Sequence, residues 1–283
     1  MKSKIILSSA VLALMALSVP VSAQSTISAN LDDAILDFRV TNSSDQGFGT
    51  NLEVDLGNVS QFYGVGSAGL ALNGLTGADL VSAYGANWFT RSDLAFSVIA
   101  TTGGATGTTV NSTPISASTI WATNAQSLVG VQSNPWTTKG GSAQNIAISL
   151  ISPLYATGSG GGGLNGQTSS SNSATAAFLA SGVNGSYSKQ VGSNGTFSFF
   201  LSGGSLENSP GGTGLAASDF YQLEPSSNLA PSVYLGTFVL NDSGQLSFSN
   251  TASVPEPSTY AAILSAITLG FVAIRRHRTR VKA

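Results

Sequence analysis

Five carboxylates stand close together near the start of the sequence. They are Asp32, Asp33, Asp37, Glu53 and Asp55. Two carboxylates at a fixed separation are what a glycoside hydrolase uses as acid and base, or as acid and nucleophile. Several carboxylates together can also hold Ca²⁺. This group is therefore the densest candidate for chemistry in the chain.

Two predicted strands position these carboxylates. Apolar and polar residues alternate over 34–40 and again over 51–56, which predicts two half-buried strands. Turn-forming residues over 42–47 predict a hairpin between them. If the strands pair, Asp33, Asp37, Glu53 and Asp55 share one face of the sheet. Alternation alone explains these carboxylates as the solvated face of a half-buried sheet, so no catalytic residue is assigned.

Three tryptophans offer flat rings that could stack on sugars: Trp88, Trp121 and Trp136. Core packing is the commoner role of a tryptophan, because burial of its large ring is strongly favourable. Trp136 follows Pro135 in a predicted turn, and we expect it to be the most exposed of the three.

Composition excludes several classes of function for residues 24–253. This stretch contains neither histidine nor cysteine, which excludes a zinc site, a Ser-His-Asp triad and a Cys-His dyad. It carries four cationic and twelve acidic side chains. Four scattered cations cannot form the basic stripe that nucleic acid requires. We expect no metal, no cofactor, no nucleic-acid partner and no disulfide.

The remaining pattern predicts a mainly β fold with a few short helices, arranged as an antiparallel sandwich or an open barrel. Further strands are predicted at 94–102, 119–122 and 196–201, and a closing hairpin at 234–249. A short helix follows a capping signal at Thr76 and ends at Gly85. A second helix is predicted over 144–155 with a break at Ser152-Pro153, and the Gly/Ser-rich stretch 158–173 is predicted to be a flexible loop or linker.

The N-terminus has the three parts of a signal peptide. Two lysines precede an apolar core over 5–19, and small residues follow at Val21-Ser22-Ala23. This pattern predicts that signal peptidase cleaves between Ala23 and Gln24. Residues 24–253 are therefore expected to be exported.

The C-terminus also has three parts. A proline-containing motif (Val254, Pro255, Glu256, Pro257, Ser258) precedes an uncharged apolar run over 260–274, and a basic end follows (Arg275, Arg276, Arg278, Arg280). A helix that begins at Pro257 and ends at Ile274 would be about 27 Å long. That length spans a bilayer core of ~30 Å if the arginines reach the interface, and the arginines hold this end in the cytoplasm.

This C-terminal arrangement resembles the PEP-CTERM sorting signal of Gram-negative bacteria. The resemblance covers residues 254–283 and implies recognition by an exosortase-type membrane protease that cuts near Pro-Glu-Pro. It implies a chain of three parts: a signal peptide (1–23), an exported body (24–253) and a sorting signal (254–283). The precursor would be held transiently at the inner membrane, and the mature body would reach the cell surface or the medium.

Two functions are compatible with these features. The first is an exported, non-enzymatic surface or matrix protein that associates with exopolysaccharide in a biofilm. The second is an extracellular carbohydrate-active enzyme that works through paired carboxylates. They differ in whether two carboxylates lie within ~5–10 Å of each other in a concave site lined by aromatic side chains.

Overall fold

The computed structural model describes residues 24–157, 162–197, 204–211, 214–226, 228 and 230–250. The predicted signal peptide up to Ala23 lies outside these residues, and so does everything predicted for 251–283. Most of the strand predicted over 196–201 also lies outside them, and its described part, Thr196 and Phe197, belongs to no strand. Each helix that is described is too short or too polar to cross a membrane.

One large antiparallel sheet, curled into a half-barrel, dominates the described part of the chain. The strands are β1 (Asp33–Val40), β2 (Thr50–Asn58), β3 (Leu70–Leu72), β4 (Leu94–Thr101), β5 (Thr108–Val110), β6 (Thr113–Ile115), β7 (Ile120–Ala125), β8 (Ala176–Ala180), β9 (Leu215–Leu223), β10 (Val233–Asn241) and β11 (Leu246–Ser249). Their order across the sheet is β3-β11-β10-β9-β7-β4-β1-β2-β8, and β5 pairs with β6 separately.

The helices are few and short, as expected. They are α1 (Gly77–Tyr84), α2 (Gly141–Ile151) and α3 (Tyr187–Val191), with 3-10 turns at Val59–Phe62, Trp88–Thr90 and Ser152–Tyr155. The mainly β class is thus confirmed. The fold is built on one large curled sheet. It therefore resembles the predicted open barrel more closely than the predicted sandwich of two sheets.

Helix α1 shows how the local sequence determines an element. The Thr76 side chain accepts a hydrogen bond from the Asp79 N–H at 3.2 Å, which satisfies one of the free donors of the first turn. Gly85 ends the helix with φ +89°, a conformation that glycine adopts without strain. Leu80 and Tyr84 are buried against the inside of the sheet, as their spacing predicts.

Phenylalanines fill the concave face of the sheet. Phe62, from the 3-10 turn after β2, points into a group formed by Phe220, Phe238 and Phe248. Its ring centroid lies 4.9 Å from that of Phe248 and 5.3 Å from that of Phe238. Each such side chain contributes about 1.5–3 kcal/mol by leaving water, so this face holds the main core.

The convex face is covered too, which the sequence does not predict. Ile148 and Ile151 of α2 and Tyr187 of α3 pack with Ile35 and Ile99 of the sheet in a second apolar cluster. All eight residues of β1 are therefore buried. The predicted half-buried character of β1 is wrong, because alternation reports which face a residue occupies and not whether another layer covers that face.

The two edges of the sheet approach each other at one end. The Ser173 hydroxyl, before β8, donates to the Gly74 carbonyl, after β3, at 2.6 Å. A Cβ at Gly74 would lie 2.8 Å from the Thr175 hydroxyl oxygen and 2.9 Å from a Val54 methyl carbon. Glycine is therefore needed at position 74 for this closure.

The described part of the Gly/Ser-rich stretch, residues 162–173, is packed against the body. Leu164 is fully buried, and Ser169 and Ser173 are nearly so. The Ser169 N–H donates to the Ser25 carbonyl at 2.8 Å. These residues form an ordered part of the fold, so the linker interpretation is wrong for them.

Candidate functional site

The pairing of β1 with β2 brings the predicted carboxylates onto one face. Asp37 lies directly opposite Glu53, and Ile35 lies opposite Asp55. Directly opposed residues on antiparallel strands have Cβ atoms about 4.5–5.5 Å apart. The sequence-based expectation of a shared face is confirmed, and Asp37 and Glu53 form its central pair.

The surroundings of this pair differ from the expectation. Asp37 and Glu53 are fully buried rather than solvated, because α3 and its flanking residues cover the convex face there. The Tyr187 N–H, at the start of α3, donates to Glu53 Oε1 at 2.7 Å. Ser97 of β4 lies opposite Asp37 on its other side, and its hydroxyl is hydrogen-bonded to the Tyr187 hydroxyl at 2.6 Å.

Three oxygens of the pair have no hydrogen-bond partner within the described residues: Asp37 Oδ1, Asp37 Oδ2 and Glu53 Oε2. A buried carboxylate without donors is strongly disfavoured relative to its neutral acid. Burial, followed by the charges of Glu53 and Glu207, raises the pKa of Asp37 well above its usual range. Burial raises the pKa of Glu53 to about 8, although the Tyr187 N–H acts in the opposite direction. The pair therefore retains protons at neutral pH.

A cation on the same strand as Asp37 is already paired with another carboxylate. Arg39, two residues after Asp37 on β1, donates from Nε to Glu207 Oε1 at 2.6 Å and from Nη2 to Glu207 Oε2 at 2.8 Å. Its Nη1 donates to the Gly192 carbonyl at 2.9 Å. This two-pronged ion pair is nearly buried and leaves the guanidinium with its charge matched by Glu207 rather than by Asp37.

The tryptophans take no part in this site. Trp88, Trp121 and Trp136 are all buried, which confirms their core role. The expectation that Trp136 is exposed is wrong, since its indole N–H donates to the Thr123 carbonyl at 3.1 Å beneath the second layer. No sugar-stacking platform is therefore built from these three rings.

The described part of the chain contains no group of three or more acidic, histidine or cysteine side chains that could hold a metal ion. Asp55 lies next to Glu53 along the face, but its side chain accepts from the Gly57 N–H at 2.7 Å. Burial raises the pKa of Asp55 to about 6. The arrangement is thus a sealed, proton-holding pair rather than an open ion site.

A second buried carboxylate, Asp219 in β9, is not identified by the sequence analysis. Its Oδ1 accepts from Gln126 Nε2 at 2.5 Å and from the Thr237 hydroxyl at 2.6 Å. Its Oδ2 accepts from the Ser133 N–H at 2.6 Å and from the Ser133 hydroxyl at 2.9 Å. A single acidic residue in an otherwise uncharged strand is the signal that could have found it, because such a residue needs donors when it is buried.

Asp219 therefore joins three separate segments of the chain. It lies on β9, Thr237 lies on the neighbouring β10, and Gln126 and Ser133 are the two ends of the loop that follows β7. Hydrogen bonds to a charged acceptor contribute about 1.5–3 kcal/mol each before relaxation. This carboxylate is consequently an anchor of the fold.

The side chains of Asp37, Glu53 and Asp219 are fully buried, so none of them presents an oxygen to solvent. This burial is typical of residues that stabilise a fold. Comparison of the chain with family models, with curated proteins and with solved structures gave no match.

Proposed function

We propose that the chain is an exported surface or extracellular-matrix protein, with a structural or adhesive body that associates with exopolysaccharide. The sealing of the Asp37–Glu53 pair carries this proposal. A glycosidase needs its acid and its base or nucleophile on either side of a bound sugar. Here the paired carboxyls lie under α3, where a sugar has no access.

The surface of the body supports the same role. Its exposed loops are rich in glycine, serine, threonine and asparagine, for example in residues 42–49 and 104–107. Hydroxyls, amides and backbone groups supply most of the hydrogen-bonding capacity of these loops. Loops of this kind can exchange hydrogen bonds with the hydroxyls of a hydrated polysaccharide.

The proposed route to the surface uses the two termini. Signal peptidase would remove residues 1–23, and an exosortase-type protease would act at the motif from Val254 to Ser258. The apolar run and the arginines after Ile274 would hold the precursor in the inner membrane until then. The mature protein would then lack these C-terminal residues.

An intact-mass measurement on the surface fraction of the producing bacterium tests the sorting. We expect a mature chain that begins at Gln24 and ends near Pro257. A surface protein that retains Lys282 would contradict this processing. A Pro255→Ala, Pro257→Ala variant is the matched control, because it keeps the apolar run and the arginines and alters only the motif.

The purified mature protein also discriminates the structural role from the enzymatic alternative. We expect it to co-sediment with the producer's polysaccharide without releasing new reducing ends. The cross-strand spacing of Asp37 and Glu53 is the one observation that favours a hydrolase. Reducing ends that appear with the wild type, and vanish in a Glu53→Gln variant that still binds, would establish the enzyme instead.

A further inference from the structure

The loop between β7 and the turn at Ser133 presents apolar side chains to solvent. We call residues 127–132 the apolar loop. Leu128 is 69% exposed, Val129 is 47% exposed and Val131 is 49% exposed. From Gln126 to Asn134 the sequence contains no charged residue. Three adjacent exposed apolar side chains in a surface loop point to a binding surface rather than to packing.

The apolar loop is held rigidly in this position. Asp219 binds Gln126 at one end of it and Ser133 at the other. Within the loop, the Gly130 N–H donates to Gln126 Oε1 at 3.1 Å, and the Val131 N–H donates to the Leu128 carbonyl at 3.1 Å. Exposure of the apolar side chains is therefore a property of an ordered turn and not of a frayed segment.

The apolar loop lies beside the point at which the body continues toward its C-terminus. A cavity of about 140 Å³ is lined by Val129 and Gly130 together with Ser249, the last residue of β11. Because Ser249 pairs with Thr237 in an antiparallel ladder, the chain leaves β11 toward the start of β10. Val233, at that start, is 57% exposed, so the exit is flanked by apolar side chains.

The following segment is short. Nine residues separate Asn250 from Tyr260, where the uncharged apolar run begins. Even fully extended, that stretch reaches at most roughly 35 Å. If residues 260–274 lie in a bilayer, the end of β11 and the apolar loop beside it stay within about 35 Å of that bilayer.

We propose that the apolar loop rests in the lipid interface while the chain is anchored by its C-terminal apolar run. This inference depends on the membrane-held precursor of the proposed function. Leucine and valine side chains bury well at the boundary between headgroups and acyl chains, about 5–10 Å deep. Three side chains are too few for a stable dimer, which buries about 1,200–2,000 Å².

The part of the body that would enter the interface is uncharged, although residues 24–253 as a whole carry eight more acidic than cationic side chains. The loop is neutral, and the carboxylate beneath it, Asp219, is fully buried and accepts four hydrogen bonds. No charged group of the loop must be desolvated when it enters the interface. The contact would orient the body so that the chain near Ser249, and the processing motif after it, face the membrane.

A fluorescent label placed on the full-length chain tests the contact. The sequence contains no cysteine, so a Leu128→Cys variant can carry a single environment-sensitive dye. An Ile146→Cys variant is the matched control, since Ile146 is apolar and 59% exposed on α2. Both proteins are incorporated into vesicles of phosphatidylethanolamine and phosphatidylglycerol, with or without nitroxide on the acyl chains.

We expect the dye at position 128 to shift to the blue and to lose emission when nitroxide lipid is present, and the dye at position 146 to do neither. Equal behaviour of both dyes, in chains that float with the vesicles, would overturn the lipid contact and leave the anchored precursor intact. A blue shift at position 128 without nitroxide quenching would assign the loop to a second copy and also overturn it. Chains that fail to float would overturn the anchor and the contact together.

Discussion

Asp37 and Asp219 are the same residue type at the same degree of burial in one sheet, yet their surroundings are opposite. Asp219 accepts four hydrogen bonds from Gln126, Ser133 and Thr237. Asp37 has no hydrogen-bond partner among the described residues. The comparison shows that burial alone does not determine what a carboxyl does in a fold. The donors that the covering layer supplies decide it.

The two covering layers explain the difference. A loop with free backbone and amide N–H groups covers Asp219. Helix α3 covers Asp37, and there the Tyr187 N–H is directed at Glu53 and the Arg39 guanidinium is directed at Glu207. Asp219 can therefore act as a hydrogen-bonded anchor, whereas burial with few donors favours the protonated forms of Asp37 and Glu53.

The largest expected effect comes from an Asp219→Ala substitution. It leaves the donors of Gln126, Ser133 and Thr237 without a buried acceptor, and we expect the free energy of unfolding to fall by about 5 kcal/mol. Urea unfolding of the protein truncated after Ser253 measures this. Asp242→Ala, at an exposed turn, is the control and should change the value by less than about 0.5 kcal/mol. A decrease in the free energy of unfolding of less than about 1 kcal/mol for Asp219→Ala would show that Asp219 does not anchor the fold.

The next effect is a loss of stability as the pH rises. The pKa of Glu53 is raised in the folded state to about 8, so between pH ~4 and 8 the folded chain binds more protons than the unfolded chain. The free energy of unfolding therefore decreases as pH increases through this window. The contribution of Glu53 alone is about 4 kcal/mol between pH 5 and pH 9.

Urea unfolding across this pH range, with a Glu53→Gln variant beside the wild type, isolates that contribution. The amide cannot ionise, so the variant should lose much less stability at high pH. Parallel curves for the two proteins would show that Glu53 does not hold its proton in the folded state.

A smaller effect distinguishes the two aspartates by sign. At pH 9 an Asp37→Asn substitution should raise the free energy of unfolding by about 1–2 kcal/mol, because folding then no longer forces a carboxyl that ionises in the unfolded chain into a buried site without donors. The same change at Asp219 should lower it, because an amide group then faces hydrogen-bond donors. If both substitutions raised the free energy of unfolding, or both lowered it, the two aspartates would not differ in the way described above.

The smallest effect is expected at the apolar loop. Leu128 is largely exposed, so a Leu128→Ser substitution should alter the free energy of unfolding of the truncated protein by less than about 0.5 kcal/mol. Thermal unfolding in the absence of lipid is sufficient to check this. A loss above about 1 kcal/mol would mean that Leu128 packs within the body, which would remove the basis for a membrane contact.

Local patterns in the sequence predict much of the fold. Alternation identifies β1 and β2, the Thr76 cap and Gly85 delimit α1, and the turn over 241–244 separates β10 from β11. The break at Ser152-Pro153 coincides with the change from α2 to a 3-10 turn. These features depend on neighbours along the chain, which is why the sequence alone is sufficient for them.

The burial of the carboxyl pair could not be predicted in the same way. Asp37 and Glu53 alternate with apolar residues as solvated side chains do, and only α3, more than a hundred residues later, removes them from water. The role of Asp219 likewise depends on Ser133, which is far away along the chain. Trp136 is buried for the same reason, because residues distant in the sequence pack over it. Long-range layers leave no periodic signal in the strand that they cover.

The pairing of β3 with β11 has a consequence for the time course of folding. Leu72 is adjacent to Leu246 in the sheet, so the ladder at that edge stays open until almost the whole body has left the ribosome. At ~5–20 residues per second, synthesis of the intervening chain takes roughly 10 s or more, and such distant contacts also form slowly once both partners are present. If the chain is exported as proposed, this delay keeps it incompletely folded while a translocation channel, which admits extended polypeptide, accepts it.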